Sequence, residues 1–415
     1  MFILPFIITA LGGFLLIKLR FFPILHPRRV ARGMLRAVSE QGGYSSLALA
    51  LAGTLGVGNI FGVAIAISIG GAGAVFWLFV SGLFAAVIKY AEATVCTDLA
   101  RNKEQGGMMF AIRGKLRSGR FLGALYAALC IVLSFVMGGA MQSSAAVSTA
   151  ALTVGRGPVF PILFVILTFS FIIGKKERIK SVTATLVPLA AVIYISSAMI
   201  IIIKNISLLP DVIADISRSA FTLNAARGGL IGSLVASPIV RGFATGILSN
   251  EAGAGTSSMA HTSGSSASPS GTGLLAMCEV IFDTVLLCML TAFAILLSVR
   301  ESLGADTATL VVESLSAAYP GGDILLTVSV FAFALATAVC WYFYGRVALG
   351  YFTHRGGVVF LAIYLLFVGI GSLFDCSGFA AIADVILLTL TLLCAPVIIK
   401  SSDRIRTLSE LDGLI

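Results

Sequence analysis

Apolar runs long enough to cross a bilayer recur along the whole chain, and they constrain its fold more than any other feature. Eleven stretches of the 415 residues are close to, or longer than, the ~20 residues that a transmembrane helix needs. Only 11% of the residues are charged, against about 25% in soluble domains. The sequence therefore predicts an all-α polytopic membrane protein with about 11 transmembrane helices. The stretches are roughly 2–17, 45–68, 73–97, 121–150, 158–174, 181–203, 228–260, 271–299, 323–348, 357–373 and 378–398.

Basic residues are unevenly distributed between the apolar stretches. The chain carries 28 Lys and Arg against 19 Asp and Glu, which gives a net charge of +9. Cytoplasmic segments of membrane proteins are enriched in Lys and Arg. We therefore interpret the charge as a signal of membrane orientation, with the N-terminus outside and the C-terminus inside, and expect no nucleic-acid partner. The alternating segments that hold 21 of the 28 basic residues are 18–36, 101–120, 175–180, 346–355 and 400–406.

Motifs of catalysis and of metal binding do not occur in the sequence. The seven Cys form no CxxC pair, and the three His have no HExxH spacing, so disulfides and a zinc centre are not expected. The GxSG pattern of an intramembrane serine protease is also missing. We expect no catalytic residue and no cofactor apart from a coupling ion. An intramembrane enzyme and a channel stay as distant alternatives, although a channel usually repeats its filter residues through oligomer symmetry.

Two of the apolar stretches are interrupted by glycine and polar residues in mid-membrane. They contain GTLGVGNIFG at 53–62 and GFATGILSNEAGAGTSS at 242–258. Each Gly weakens a helix by roughly 1 kcal/mol relative to Ala. Irregular backbone at this depth is tolerated only inside protein or beside water, because a freed backbone group in lipid is costly. The interruptions therefore predict a cavity, and the alternative is that the glycines only permit close helix packing.

The two interruptions occupy matching places in the chain. If the first apolar stretch is an added helix, ten stretches remain, and each interruption falls in the first helix of a group of five. Five is odd, so the two groups have opposite topologies, as in secondary transporters with inverted repeats. The chain then divides into an extra N-terminal helix with a basic inside loop (1–44), a first repeat (45–204), an outside connector (205–227), a second repeat (228–400) and an inside tail (401–415).

Several long motifs, in the same order, resemble the alanine/glycine:cation symporter family, also called the sodium:alanine symporters, of the amino acid-polyamine-organocation superfamily. GTLGVGNIFGVAIAISIGGAGAVFW at 53–77 is similar to the signature of the family, and FATGILSNEAGAGTSSMAH at 243–261 is similar to its second motif. The series is completed by GGAMQSSAAV at 138–147, GKKERIKSVTATLVPLAAVIY at 174–194, EVIFDT at 279–284 and FAFALATAVCWYFYG at 331–345. One departure is Arg346, which stands where the family usually has Glu.

This resemblance implies a leucine-transporter-like fold that works by alternating access. It implies sodium-coupled uptake of alanine, glycine or another small neutral amino acid. It further implies a multi-pass protein of the bacterial or archaeal plasma (inner) membrane, with a monomer in the lipid bilayer as the functional unit. A proton-coupled symporter of the same fold is the main alternative, because buried Glu251 or Glu279 could bind the proton.

The groups around the two interruptions form the predicted substrate site. Val57 and Gly58 offer backbone amides for a substrate carboxylate, because glycine lets the backbone approach a ligand closely and a half-helix N-terminus favours anions. The predicted substrate-binding residues are Thr54, Gly56, Val57, Gly58, Asn59, Gln142, Thr245, Gly246, Ser249, Asn250 and Trp341, with Trp341 as a cap over the small side chain. By likeness to the sodium sites of the fold, the Na⁺ ligands are Ala52, Leu55, Asn59 and Thr337.

Charged residues within the apolar stretches are a further functional signal, because burial of charge in a membrane is expensive. Lys89 and Glu92 are three residues apart, so they are able to pair on one helix face. Arg241 is predicted to pair with Glu251 or Glu279 across helices. The alternative is that these residues only hold helices together. The predicted gating or charge network comprises Lys89, Glu92, Arg241, Glu251, Glu279 and Asp283.

Overall fold

A computed structural model describes residues 3–100, 106–174, 176–221, 237–263, 267–298, 320–376 and 378–415. Throughout these ranges the regular structure is helical. In chain order the helices are α1 Ile3–Lys18, α2 Phe22–Leu25, α3 Pro27–Ser39, α4 Gly43–Thr54, α5 Val63–Gly70, α6 Gly73–Ala100, α7 Met108–Lys115, α8 Gly119–Val154 and α9 Val159–Ile172. They continue with α10 Lys176–Lys204, α11 Leu209–Ser219, α12 Pro238–Asn250, α13 Ser258–His261, α14 Pro269–Ser298, α15 Gly322–Leu349, α16 Gly357–Leu373 and α17 Phe379–Leu411.

Several described helices are long and apolar enough to cross a membrane. Six satisfy this condition alone, namely α6, α8, α10, α14, α15 and α17. The pair formed by α4 and residues 58–70 satisfies it together and is bent by 54°. The chain is therefore a multi-pass membrane protein. Parts of the predicted segments lie outside the described residues: residue 2 of the first stretch, 228–236 of the seventh, 299 of the eighth, 222–227 of the connector, and 101–105 and 175 in two basic segments.

Small residues bring α6, α12 and α14 into close contact. A Cβ atom on Gly246 of α12 would lie 2.0 Å from the Ser81 Oγ of α6. A Cβ atom on Gly273 of α14 would lie 2.2 Å from the Thr94 Oγ1 of α6. Close backbone approach at small residues is the usual basis of helix association in lipid. The three helices form one group, and α5 packs against both α6 and α12.

The second group is organised around α15, which packs against α10, α8 and α4. Two helices of the bundle contain wide π-helical turns, at Ser134–Met141 in α8 and at Ile281–Cys288 in α14. Such turns rotate the residues that follow and occur frequently at functional sites. The first turn ends immediately before Gln142, and the second contains Asp283. Both turns therefore aim polar side chains at the bundle interior.

The crossing of α8 and α16 gives a prediction about stability. A Cβ atom on Gly371 would lie 2.0 Å from the Ala140 carbonyl oxygen and 2.2 Å from the Ser143 Oγ, whereas a Cβ atom on Gly369 would have no neighbour within 4 Å. We expect Gly371→Ala to destabilise the protein by about 1–3 kcal/mol through overpacking. Gly369→Ala is the matched control and should be neutral or slightly stabilising. Melting curves of the detergent-purified variants test this, and equal melting temperatures would contradict the described crossing.

Candidate functional site

The candidate site begins where the helix axis breaks between α4 and α5. Regular α-helix ends at Thr54, and Leu55 leaves the helical conformation with ψ 57°. The Gly56 amide donates to the Thr54 carbonyl oxygen at 2.7 Å, which closes a tight turn. A single wide turn, Gly58–Gly62, then leads into α5. The break confirms that the glycine-rich motif of the second stretch interrupts a helix inside the bundle.

Two side chains from other helices converge on this break. The Val57 amide donates to the Gln142 Oε1 at 3.4 Å. A Cβ atom on Gly56 would lie 3.1 Å from the same Gln142 oxygen and 3.2 Å from the Thr337 Oγ1. The Thr337 hydroxyl also donates to the Phe333 carbonyl oxygen of its own helix at 2.9 Å. A side chain at position 56 would crowd the polar groups that α8 and α15 bring against the backbone there.

A buried polar cluster, here called the aspartate cluster, joins the break to α12 and α14. The Asn59 amide donates to the Asp283 Oδ1 at 2.5 Å. The Ser249 hydroxyl lies 2.8 Å from both the Asn59 Oδ1 and the Asp283 Oδ2. The Thr284 hydroxyl donates to the Asp283 Oδ2 at 2.8 Å, and the Asn250 amide donates to the Thr284 Oγ1 at 3.0 Å. Within the described part of the chain, the donors hydrogen-bonded to this carboxylate in the bundle centre are therefore all neutral.

A narrow cleft opens between the break and two aromatic side chains. The Tyr194 and Phe333 rings meet edge to face with centroids 6.1 Å apart. The Tyr194 hydroxyl is fixed by a 2.6 Å hydrogen bond to the Thr291 hydroxyl. Tyr194 and Phe333 were not among the predicted site residues, because a single aromatic side chain does not stand out in helices that are apolar throughout. The lining residues are Leu55, Gly56, Asn59, Ile60, Tyr194, Leu287 and Phe333.

A second buried cluster, here called the lysine–glutamate cluster, lies between α6, α13, α14 and the turn after α12. The Lys89 Nζ donates to the Glu279 Oε1 at 3.0 Å and to the Ser257 Oγ at 2.7 Å. The His261 Nε2 lies 2.8 Å from the other Glu279 oxygen. The hydrogen-bonded partner of Lys89 is therefore Glu279 on α14, and not Glu92 on the same helix face as predicted. The cluster was only partly predictable, because Ser257 and His261 gave no sign of their partners.

The two remaining glutamates of this cluster bind the non-helical turn that follows α12. Glu92 accepts from the Gly255 amide at 3.1 Å, and Glu251 accepts from the Thr256 hydroxyl at 2.5 Å. Glu251 terminates α12 with a φ of 54°, a conformation that is uncommon for a residue other than glycine. Both carboxylates are 1% exposed. The second interruption is thus a non-helical turn that is hydrogen-bonded to the Glu92 carboxylate of α6.

Some predicted site residues serve as close helix contacts. Trp341 is fully buried, and its Nε1 donates to the Gly53 carbonyl oxygen at 3.3 Å. A Cβ atom on Gly138 would lie 2.1 Å from the Trp341 Cβ, so the indole is wedged between α4 and α8. Gly246 packs against Ser81 of α6. These contacts place Trp341 against the last turn of α4, just before the break. Its role as a cap over the substrate remains a prediction.

Two other predicted residues lie earlier in α12, Arg241 in its first turn and Thr245 near its middle. Thr245 donates to the Gly62 carbonyl oxygen at 3.4 Å, which links α12 to the start of α5. Arg241 packs against Gly70 and interacts electrostatically with Asp384 of α17. The predicted pairing of Arg241 with Glu251 or Glu279 is therefore wrong, because Glu251 lies ten residues further along the chain, at the other end of α12, and Glu279 is bonded to Lys89 and His261. Asp283 likewise belongs to the aspartate cluster and not to the lysine–glutamate cluster.

The departure from the family pattern at Arg346 lies at the end of α15. A Cβ atom on Gly357 would be 2.8 Å from a guanidinium nitrogen of Arg346. The side chain therefore covers the first residue of α16. A cation in the last turn of a helix is also favoured by the helix dipole. This residue acts at the α15–α16 junction.

The chain is similar to known transporters along almost its whole length. It matches the model of the sodium:alanine symporter family over residues 1–407. It is 30% identical over 327 residues to the sodium/alanine symporter AgcS of Methanococcus maripaludis, a match that covers 76% of this chain and 71% of the relative. It is 32% identical over 368 residues to the putative sodium/proton-dependent alanine carrier protein YrbD of Bacillus subtilis, over 83% of this chain and 75% of the relative.

A solved structure has the same fold. It is a Na⁺-coupled sialic acid symporter in a substrate-bound, outward-open state, with a TM-score of 0.59 and 11% identity over 94% of this chain and 86% of that chain. The relatives are transporters, so the chain is not expected to be an enzyme. The resemblance carried by the sequence motifs is confirmed, and the chain belongs to the sodium:alanine symporter family.

Proposed function

We propose that this chain is a sodium-coupled symporter of alanine, glycine or a similarly small neutral amino acid. The observation that carries the proposal is the unwound backbone at Thr54–Gly58, which lies beside Gln142 on one side and the aspartate cluster on the other. These two sides offer complementary chemistry to the two ends of a zwitterion. A broken helix in the bundle interior is the usual binding element of secondary transporters.

The substrate is oriented by its two charges. Its carboxylate binds the backbone amides of Val57 and Gly58 and the side chain of Gln142, at the positive end of the half-helix. Its ammonium group binds Asp283 and Ser249, because a buried carboxylate with only neutral donors is favourable for a cation. Thr245, Gly246 and Asn250 hold the α12 side of the site. Thr54, Gly56 and Asn59 form the α4–α5 side of the site, and Trp341 packs against the last turn of α4.

Sodium binds the same break from below. The proposed ligands are the carbonyl oxygens of Ala52 and Leu55, the hydroxyl of Thr337 and the side-chain oxygen of Asn59. Carbonyls in the last turn of a helix lack intrahelical partners, so they are available to a hard cation. The approach of the Thr337 hydroxyl to Gly56 supports this assignment. Asn59 contacts both the proposed sodium ion and the proposed substrate, so the binding of one affects the binding of the other.

The proposed architecture has eleven crossings, an inverted 5+5 repeat over 45–204 and 228–400, and an extra helix at the N-terminus. Its N-terminus lies outside and its C-terminus in the cytoplasm of a bacterial or archaeal plasma membrane, which the distribution of basic residues supports. The group of α5, α6, α12 and α14 rocks against the group around α15 within a monomer. The sodium gradient supplies the work. Proton coupling is the alternative, and the buried glutamates beside α12 are the observation that favours it.

Uptake of labelled alanine into liposomes that contain the purified chain tests the proposal. We expect accumulation under an inward Na⁺ gradient and none under an inward proton gradient at equal membrane potential. Asn59→Ala should reduce the Na⁺-driven rate about 10- to 100-fold, since a buried hydrogen bond to a charged group contributes about 1.5–3 kcal/mol. Asn205→Ala is the matched control, because within the described residues the Asn205 side chain donates to the Ile201 carbonyl oxygen at its own helix end. Accumulation driven by protons alone would refute sodium coupling.

The cleft predicts that Phe333 sets the size limit of the substrate side chain. Removal of the ring widens the cleft between the break and Tyr194, so Phe333→Ala should admit larger neutral amino acids. A single methylene changes discrimination in an apolar pocket by about 10- to 200-fold. We therefore expect the valine-to-alanine uptake ratio to rise about tenfold or more.

Phe331→Ala is the control for this substitution. Phe331 lies two residues away on α15 and packs edge to face against Phe164 of α9, with centroids 5.3 Å apart. The control should therefore leave the ratio unchanged. A ratio that rises equally in both variants would show that general loosening of α15, and not the cleft wall, controls selectivity.

A further inference from the structure

The lysine–glutamate cluster contains more negative charge than its own residues neutralise. Glu92, Glu251 and Glu279 face one lysine, Lys89, and one histidine, His261, and all five side chains are at most 1% exposed. The two carboxylate oxygens of Glu279 are already bonded, one to the Lys89 ammonium group and the other to the His261 ring. At least one carboxylate is therefore left without a cation, even when the histidine is charged. An uncompensated charge inside a protein costs several kcal/mol, so the cluster requires another cation.

The remaining charge lies on Glu92 and Glu251. Each has one oxygen bound by the turn, to the Gly255 amide or the Thr256 hydroxyl. The other oxygen of each carboxylate, the Glu92 Oε2 and the Glu251 Oε1, has no hydrogen-bond partner within the described part of the chain. An orphaned carboxyl oxygen in an apolar interior is where a proton is stabilised, because protonation removes the cost of burial.

The surroundings favour a proton over a metal ion. A Cβ atom on Gly253 would lie 2.9 Å from methyl groups of Ile8 and Thr391. A Cβ atom on Gly255 would lie 2.9 Å from Met108 and 3.1 Å from the Cys394 Sγ. Aliphatic carbons, one thiol and the Thr391 hydroxyl therefore line these glycines, whereas a hard metal ion requires several oxygen ligands. A proton needs no coordination shell.

Other titratable groups near the two glutamates do not supply a cation. Within the described ranges the cationic neighbours are Lys89 and His261, and both are bonded to Glu279. The remaining groups are acids that are neutral or negative. They are Cys96 on α6, Tyr126 and Cys130 on α8, Glu279 and Asp283 on α14, Cys340 and Tyr344 on α15 and Cys394 on α17.

We propose that Glu92 and Glu251 form a proton-binding site that controls the turn after α12. The ligand of this site is the proton, which is distinct from the transported sodium ion. The effect of the site on transport rests on the proposed function. With protons bound, the turn stays packed against α6 and α17. When the turn opens to water, the carboxylates release their protons and ionise. Proton release therefore accompanies opening of this end of the bundle.

The first test measures stability and does not depend on transport. The packed turn holds protons that the unfolded chain releases, so the folded state loses stability as the pH rises. We expect the melting temperature of the detergent-purified protein to fall between about pH 5.5 and about pH 8.5, the range in which buried carboxylates titrate. Glu92→Gln and Glu251→Gln should flatten this fall, because Gln imitates the protonated acid and still accepts from Gly255 or Thr256. Glu410→Gln, an exposed carboxylate paired with Arg406, should retain it.

The second test measures Na⁺-driven alanine uptake at fixed external pH, with the internal pH varied over the same range at clamped potential. We expect the initial rate in the unmodified protein to rise severalfold as the internal pH rises. Each Gln variant should transport with a flattened profile. A flat stability profile in the unmodified protein overturns the proton site, a flat rate profile overturns its control of transport, and Gln variants that retain the unmodified profile overturn the proposal. A chain that transports no alanine at any pH refutes the proposed function alone, because the stability test still decides the proton site.

Discussion

The absence of water from the bilayer core is the constraint on which this structure depends. Every backbone group at that depth must find a partner inside the protein. The chain departs from helical geometry at Leu55–Val57 and at residues 251–257, and at both places side chains from other helices supply the partners. Gln142 accepts from Val57, and Glu92 accepts from Gly255. Because each break needs such a partner, the polar side chains of a mostly apolar bundle collect around its two interruptions.

Sequence patterns were sufficient to predict the parts of the structure that depend on local chemistry. Apolar length predicted the six described helices that are long enough to cross a membrane alone, and glycine beside Asn predicted both breaks. The family motifs predicted the transporter fold. Partners across helices were beyond reach, because they depend on crossing geometry. Lys89 has Glu92 three residues away, yet it bonds to Glu279, which α14 presents after close packing at Gly273. A hydrophobic wall residue such as Phe333 was not predictable either, because one more apolar side chain does not stand out in an apolar helix.

The wide turns explain how an apolar helix delivers a polar group to a chosen point. A π turn shifts the residues that follow it around the helix axis. In α8 the turn ends at Met141, so Gln142 is placed against the break while its neighbours remain in packing positions. In α14 the turn itself carries Asp283 and Thr284 into the aspartate cluster. Each of these helices thus carries apolar side chains on most of its surface and still presents a polar side chain to the site.

The two buried clusters meet in one short segment, which gives a direct route for coupling. Ser249 belongs to the aspartate cluster, and Thr256 and Ser257 belong to the lysine–glutamate cluster. Glu251 lies between them at a positive φ, so the direction of the chain there is fixed by packing and not by its own preference. A ligand that moves the end of α12 must also move the turn, because no flexible linker separates them. In the proposed function, substrate on one side and protons on the other would therefore act on the same element, and coupling would require no longer pathway.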